Sequence, residues 1–586
     1  MTLIDRRRMN TERADPGSRL HALLDAMLQA WLDAFPETAT RLGLDGGAHA
    51  SRRARLNASS VAAITGHLQD QRRFLEALKQ IDSGTLGEMA RIDRDAVLFH
   101  TDAVLEGARL MPHGHPQEFQ PYVVTQLSGA YQSLPDLLCT KHPLETVADA
   151  EAYLARLEAF RIALRDEVAR ARFDAASGVS PPSFVIDTAI AQLRNLAETP
   201  AEKWPIVASL VQRTHAHDIA GAWQRDACRI VEEKLRPAVG QLIAALHQLR
   251  VIASDDAGVW KLPDGDAYYR AAIIAQTTKQ LGADEIHRLG LEQVAELLAQ
   301  TERLLQTLDM RAGTVAERLR ALTLDERYVY PNDEQGRDRL LEELRALVTE
   351  VQGRLPEMFA RLPRAALEVR RVPTAIEAGA PRGYYTPGPA DGSRPGAFYV
   401  NLRDTRDWAR WYAPTFAHHE GAPGHHLQTA LALETGEISM LRRALPFTAY
   451  GEGWALYAEQ LADEMGLYER EPIGRVGYLQ SMLLRAARLV VDTGLHAKRW
   501  TRQQAIGYLV MTVGETPGRA AAEVDRYCVM PAQALGYKLG HLHWQQVRRA
   551  AQLALGAQFD MRRFHSEMLR RGPMPLAMLD QTIVTG

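Results

Sequence analysis

The sequence predicts a mainly α-helical fold in two lobes, with one small β-sheet directly before a metal-binding segment. Apolar residues recur at three- and four-residue spacing through most of its length, the pattern of helices that bury one face against other helices. At 586 residues the chain exceeds what one hydrophobic core commonly serves, so two lobes with a cleft between them are expected. The helical pattern is interrupted between Val369 and Leu402, where short β-prone runs flank a Pro- and Gly-rich stretch from Thr386 to Gly396.

Residues 1–18 include Arg6, Arg7 and Arg8 but no apolar stretch of about 7–15 residues behind them, so an N-terminal tail without a signal peptide is expected. From Leu20 to Leu44 the residues Leu24, Met27, Leu28, Trp31 and Leu32 fall on one helical face, and the stretches near 60–80, 88–108, 145–171 and 225–250 repeat the pattern. Turn-rich breaks follow at 177–182, 254–266 and 330–332. The second of these divides the chain into an N-terminal helical lobe, 19–265, and a C-terminal lobe, 266–586, which holds the sheet and the metal segment. A long helix begins at Ala283 or Asp284, with Ile286, Leu289, Val294, Leu297 and Leu298 on one side, and another runs from about Asp333 to Phe359.

Composition narrows the function classes. Charged residues at 24%, apolar residues at 46% and a net charge of −3 are ordinary for a globular protein and predict neither a nucleic-acid nor a membrane partner. Cys139, Cys228 and Cys528 are widely spaced, form no metal-like cluster and cannot all pair within one chain, which fits a reducing, cytoplasmic setting. No uncharged apolar run of about 18 residues exists to span a bilayer. Oligomeric state is left open.

The chemistry concentrates in His418-His419-Glu420-Gly421-Ala422-Pro423-Gly424-His425-His426. Of 19 histidines in the chain, four fall in these nine residues, around a Pro-Gly break that weakens a helix unless something compensates. In the zinc-hydrolase pattern H-E-x-x-H, histidines four apart share a helix face and the Glu activates a metal-bound water. Here the fourth residue after His419 is Pro423, and the next histidines stand at six and seven. On an unbroken helix those steps rise about 9 and 10.5 Å, too far for one ion. Pro423 and Gly424 should bulge the helix and restore a second ligand. His419 and His425 are therefore the expected ligands, with His426 the alternative to His425, His418 the weaker candidate and Glu420 the general base.

A catalytic zinc usually takes three protein ligands and leaves a position for water. Glu452, between Gly451 and Gly453 at the start of an apolar helix, is the expected third. Glu459, two turns on, suits a partner behind a ligand His, whereas Glu434 is expected at the surface. Farther along, Arg485, Arg488, Asp492 and His496 fall on one face of an otherwise apolar helix, with Asp492 able to orient His496 as a transition-state donor. Tyr527 or Tyr537 could donate to a developing oxyanion, and Arg526 could clamp a substrate carboxylate.

His419 to Gln428, Glu452 to Tyr457, Arg488 to His496, Glu523 to Tyr527 and Pro531 to Gly540 together resemble the bacterial family catalogued as domain of unknown function 885, which is placed with the thermolysin-like zinc metallopeptidase superfamily. The resemblance implies a helical, cleft-containing peptidase-like fold, one Zn2+ on two His and one Glu, and Glu420 as base. It also allows Phe398, Tyr399 and Asn401 to act as an edge strand holding a substrate backbone. The resulting expectation is a zinc-dependent hydrolase that cleaves short peptides. An amidase of a small non-peptide substrate and a non-catalytic peptide-binding protein are the alternatives.

Overall fold

The computed structural model describes residues 15–374, 376–377, 380–388 and 394–582. Most of the expected tail, 1–14, and the middle of the loop before the last strand, 389–393, lie outside the described residues. The fold is mainly helical with a single three-stranded sheet among the described residues. The first predicted helix runs Pro16–Ala34, its N-terminus capped by the Asp15 carboxylate, which accepts from the backbone N–H of Gly17 and Ser18. Its buried face is Leu20, Leu24, Met27, Leu28 and Leu32, the three-and-four pattern of the sequence. Pro36 opens a separate short helix where the pattern alone suggested continuity.

Three strands and seven helices position the site. The strands are β1 (Leu367–Arg371), β2 (Gly383–Thr386) and β3 (Gly396–Val400). The helices are α1 (Ala283–Thr307), α2 (Ala413–Glu420), α3 (His425–Glu434), α4 (Thr448–Glu464), α5 (Ile473–His496), α6 (Pro517–Val529) and α7 (Leu535–Leu555). β3 is central, parallel to β1 and antiparallel to β2, with Tyr385 opposite Phe398. Every residue of β3 is buried, and Phe398 stacks on Phe416 of α2 at 6.3 Å between ring centroids. The sheet thereby fixes α2 over its surface.

Small residues let the helices come close. A Cβ on Gly453 of α4 would lie 2.5 Å from the backbone of Gly540 in α7, and one on Gly290 of α1 would lie 2.8 Å from Leu489 and Val490 of α5. One apolar core is built almost wholly by residues 123–249. Leu20 to Val97, in contrast, pack into the same core as Leu427 to Leu579, and Val259 and Leu262 share a core with Tyr268, Leu489 and Leu535. Long-range packing thus ties both ends of the chain to the elements that hold the site.

Candidate metal centre

The Pro-Gly break does more than bulge a helix. α2 ends at Glu420, Gly421 and Gly424 take ψ values of −120° and −131°, and α3 starts afresh at His425, so the expected bulge is a complete break between two helices. His426 N–H donates to the Gly421 carbonyl at 3.0 Å and Gln428 N–H to that of Gly424 at 3.2 Å, which satisfies the turn's exposed acceptors. A Cβ at Gly424 would sit 2.0 Å from the His419 carbonyl oxygen, so no other residue fits. Trp454 of α4 donates from Nε1 to the Pro423 carbonyl at 2.9 Å and fastens the break to the helix that bears Glu452.

This break brings His425 back to His419. Their rings stand 4.9 Å apart at 89°. Glu452 Oε2 lies 3.5 Å from His419 Nε2 and 3.4 Å from His425 Nε2, and the three ligating atoms all fall within 4.8 Å of one another. His426 turns away to the Tyr385 hydroxyl at 3.2 Å, and His418 to the Tyr468 hydroxyl at 3.1 Å. Behind His419, Glu459 Oε1 is 2.7 Å from Nδ1. Glu434, expected at the surface, is partly buried and accepts from the backbone N–H groups of Arg364 and Ala365.

The electrostatics fit a cation. Glu452 Oε2 is buried with no hydrogen-bond donor among the described residues, an atom that normally demands a partner. Burial disfavours the Glu452 carboxylate, but His425 and His419 outweigh it and hold its pKa well below the usual range. Burial likewise disfavours a charged His419, yet Glu452 and Glu459 raise its pKa to about 10. The cluster thus draws positive charge to the point where the three ligands meet. Two imidazoles and one carboxylate are a donor set suited to zinc.

Glu420 accepts a hydrogen bond from the Tyr385 N–H at 2.9 Å. Burial raises its pKa, opposed by the charges of His419 and His425. It borders, with His419, His425 and Glu452, a cavity of about 650 Å3 that β2, α5, α6 and Tyr537 also line. Tyr537 keeps its proton, since burial and the Glu452 charge both raise its pKa.

Several expected participants stand elsewhere. Phe398, Tyr399 and Asn401 do not line the cavity, and β3 is paired on both sides, so it has no free edge for a substrate. Asn401 is held by the carbonyls of Glu377 and Ala380 through its amide. The edge strand that borders the cavity is β2, from the β-prone run before the Pro- and Gly-rich stretch, rather than the expected Phe398–Asn401, and its Tyr385 N–H already donates to Glu420. His496 is also outside the cavity: its Nδ1 accepts from Val259 N–H at 3.1 Å, its Nε2 donates to the Tyr527 carbonyl at 3.0 Å, and burial pushes its pKa down to about 4. Asp492 does not pair with it, accepting instead from the Tyr269 hydroxyl at 2.5 Å and the Ala532 N–H at 3.2 Å. Tyr527 is buried behind the cavity wall, its hydroxyl donating to Glu523 at 2.6 Å and accepting from Arg488 Nε at 3.0 Å. Arg526 does line the cavity, but its guanidinium is engaged by Gln533 at 2.6 Å and Glu523 at 3.3 Å.

Comparison with known proteins places these residues in a family. Residues 36–583 match the family described as "Bacterial protein of unknown function (DUF885)". No curated protein matches the chain. A crystal structure described as the putative lipoprotein from Colwellia psychrerythraea is 31% identical, with a TM-score of 0.93, covering 97% of this chain and 99% of that one. Another solved structure, described as a putative lipoprotein of unknown function from Shewanella oneidensis, shares the fold at 17% identity and a TM-score of 0.68, covering 96% of this chain and 99% of that one. The chain belongs to the bacterial family of unknown function DUF885.

Proposed function

We propose that this protein is a zinc-dependent hydrolase of the thermolysin-like metallopeptidase kind, cleaving short peptides. The observation that carries the reading is the convergence of His419, His425 and Glu452 on one point, with Glu420 beside it in the same cavity. Those three residues would hold the ion, and Glu459 would fix the ring of His419. A bound zinc lowers the pKa of its water toward neutrality and polarises a carbonyl oxygen. Glu420 takes the proton from the attacking water as its oxygen bonds to the scissile carbon, then delivers that proton to the leaving nitrogen as the C–N bond breaks. Tyr537, protonated and on the cavity wall, donates to the oxyanion.

A cavity of about 650 Å3 falls within the usual range for small ligands and also favours a second reading, an amidase of a small non-peptide substrate. A non-catalytic peptide-binding role leaves Glu420 only its hydrogen bond from the Tyr385 N–H. Free Cys139, Cys228 and Cys528 support a cytoplasmic setting. The lipoprotein description of the 31%-identical Colwellia psychrerythraea protein supports a lipid-anchored one instead, and cell fractionation separates the two. No helix among the described residues is long and apolar enough to cross a membrane. The proposal is tested by metal analysis of purified protein combined with cleavage of a short-peptide library. About one zinc per chain and cleavage that a chelator abolishes are expected; metal-free protein that takes up no zinc on addition would defeat the reading.

A further inference from the structure

We infer that the substrate carries a carboxylate, received by Arg485 and Arg488 of α5. The inference rests on the metal-hydrolase reading and adds to it the substrate's charge. Five arginines line the cavity, Arg382, Arg485, Arg488, Arg519 and Arg526, against three glutamates, of which Glu420 and Glu452 belong to the proposed reaction centre. Glu523 alone serves both Arg488, at 3.0 Å, and Arg526, at 3.3 Å. Arg519 has Glu515 at 3.2 Å. Arg485 has no carboxylate partner among the described residues: Nη1 donates to the Tyr412 hydroxyl at 3.2 Å and to Ser481 Oγ at 2.9 Å, and Nε has no partner. Arg488 leaves its Nη1 without one as well.

Both side chains are more than nine-tenths buried, with residue exposures of 7% and 6%. A guanidinium removed from water with part of its donor fork unmet is unfavourable unless something completes it. Several buried arginines elsewhere have their own acids, Arg318 with Glu302, Arg442 with Asp93 and Arg571 with Glu88, while Arg156 and Arg170 are held by backbone carbonyls and neutral side chains. What sets Arg485 apart is its place: it has no acid among the described residues and it lines the metal cavity, where a ligand can supply one. A carboxylate suits the planar fork of an arginine and offsets the surplus positive charge. Glu523 engages both Arg488 and Arg526, so the role foreseen for Arg526 passes chiefly to Arg485, which has no carboxylate partner among the described residues, with Nη1 of Arg488 beside it. The carboxylate is either a peptide's C-terminus or an acidic side chain.

Three thiol probes separate these sources on the cobalt-substituted protein, with binding read from the thiolate-to-cobalt absorption band. Mercaptoacetyl-glycine carries a C-terminal carboxylate, mercaptoacetyl-glutamic acid α-amide a side-chain carboxylate, and mercaptoacetyl-glycinamide none. At least one acid is expected to bind about tenfold or more tightly than the glycinamide, the scale of a charge-assisted contact, and the preferred acid identifies the source. In Arg485→Met that preference should fall below about threefold. If this variant loses its folded circular dichroism, Arg485→Lys, which keeps the charge and removes the fork, should show the reduced preference. Equal affinities for all three probes in the unmodified protein would overturn the anion subsite and leave the metal reading standing. No cobalt band with any probe would overturn the metal reading and this inference with it.

Discussion

Nδ1 of His419 lies 2.7 Å from Oε1 of Glu459, a carboxylate with no solvent exposure. That contact sets which ring nitrogen carries the proton and leaves Nε2 facing Glu452. Glu459→Gln should therefore retain a metal site but weaken zinc binding by about 10–100-fold, the usual effect of removing such a backing group. Competition against a chromophoric chelator measures it, and an unchanged affinity would deny Glu459 this role.

His425 and His426 are neighbours with different partners, Glu452 for the first and the Tyr385 hydroxyl for the second. His425→Ala should lose stoichiometric zinc, whereas His426→Ala should keep it. Atomic absorption on the two dialysed variants decides, and the opposite pattern would exchange their assignments.

Glu420→Gln should bind zinc normally and turn over about 10²–10⁴-fold more slowly, because an amide cannot accept and return the proton. The Tyr385 N–H can still donate to the amide oxygen, so the contact between β2 and the end of α2 should be kept. Near-normal turnover with full metal content would assign the base elsewhere.

Gly453→Ala presses a Cβ to 2.5 Å from the Gly540 backbone and forces α4 from α7. Such overpacking costs about 1–3 kcal/mol. Because Glu452 is the adjacent residue, zinc affinity should fall together with the thermal midpoint. A lowered midpoint with unchanged zinc affinity would show that this helix contact does not position the ligand.

Asp492 gives the stability a defined pH dependence. Burial raises its pKa from 3.8 to about 7 in the folded protein. Between those values the folded state holds a proton that the unfolded state has released, so stability present below pH 3.8 is lost as pH rises through about 7. The full effect is on the order of 4 kcal/mol. Asp492→Asn keeps an acceptor for the Ala532 N–H and cannot titrate, so its thermal midpoint should fall less than that of the unmodified protein between pH 5 and pH 8. Equal falls would remove Asp492 as the source.

Helix positions were legible because the pattern that marks them is local: Leu20, Leu24, Met27 and Leu28 are buried on one face as their spacing predicts. The triad was legible for a related reason. Pro423 and Gly424 state in sequence that no regular helix can join His419 to His425, and the glycines around Glu452 announce a close approach that the structure realises at Gly453 and Gly540. Chain chemistry alone limited these residues to a few arrangements.

Partner choice was not legible. Asp492 and His496 are four residues apart on α5 and could have met, yet Tyr269, Ala532, Val259 and the Tyr527 carbonyl reach them first from distant parts of the chain. Phe398 to Val400 look like any half-exposed strand until β1 and β2 close over both edges of β3. Arg485, Arg488 and Arg526 are equivalent as sequence, and only the placement of Glu523, which reaches Arg488 and Arg526 but not Arg485, decides which guanidinium has a carboxylate of the chain's own. Periodicity, caps and breaks act within a few residues and are written in the order of the chain. Hydrogen-bond partners and strand edges depend on which distant segments arrive at the same place, and packing of the whole molecule settles that.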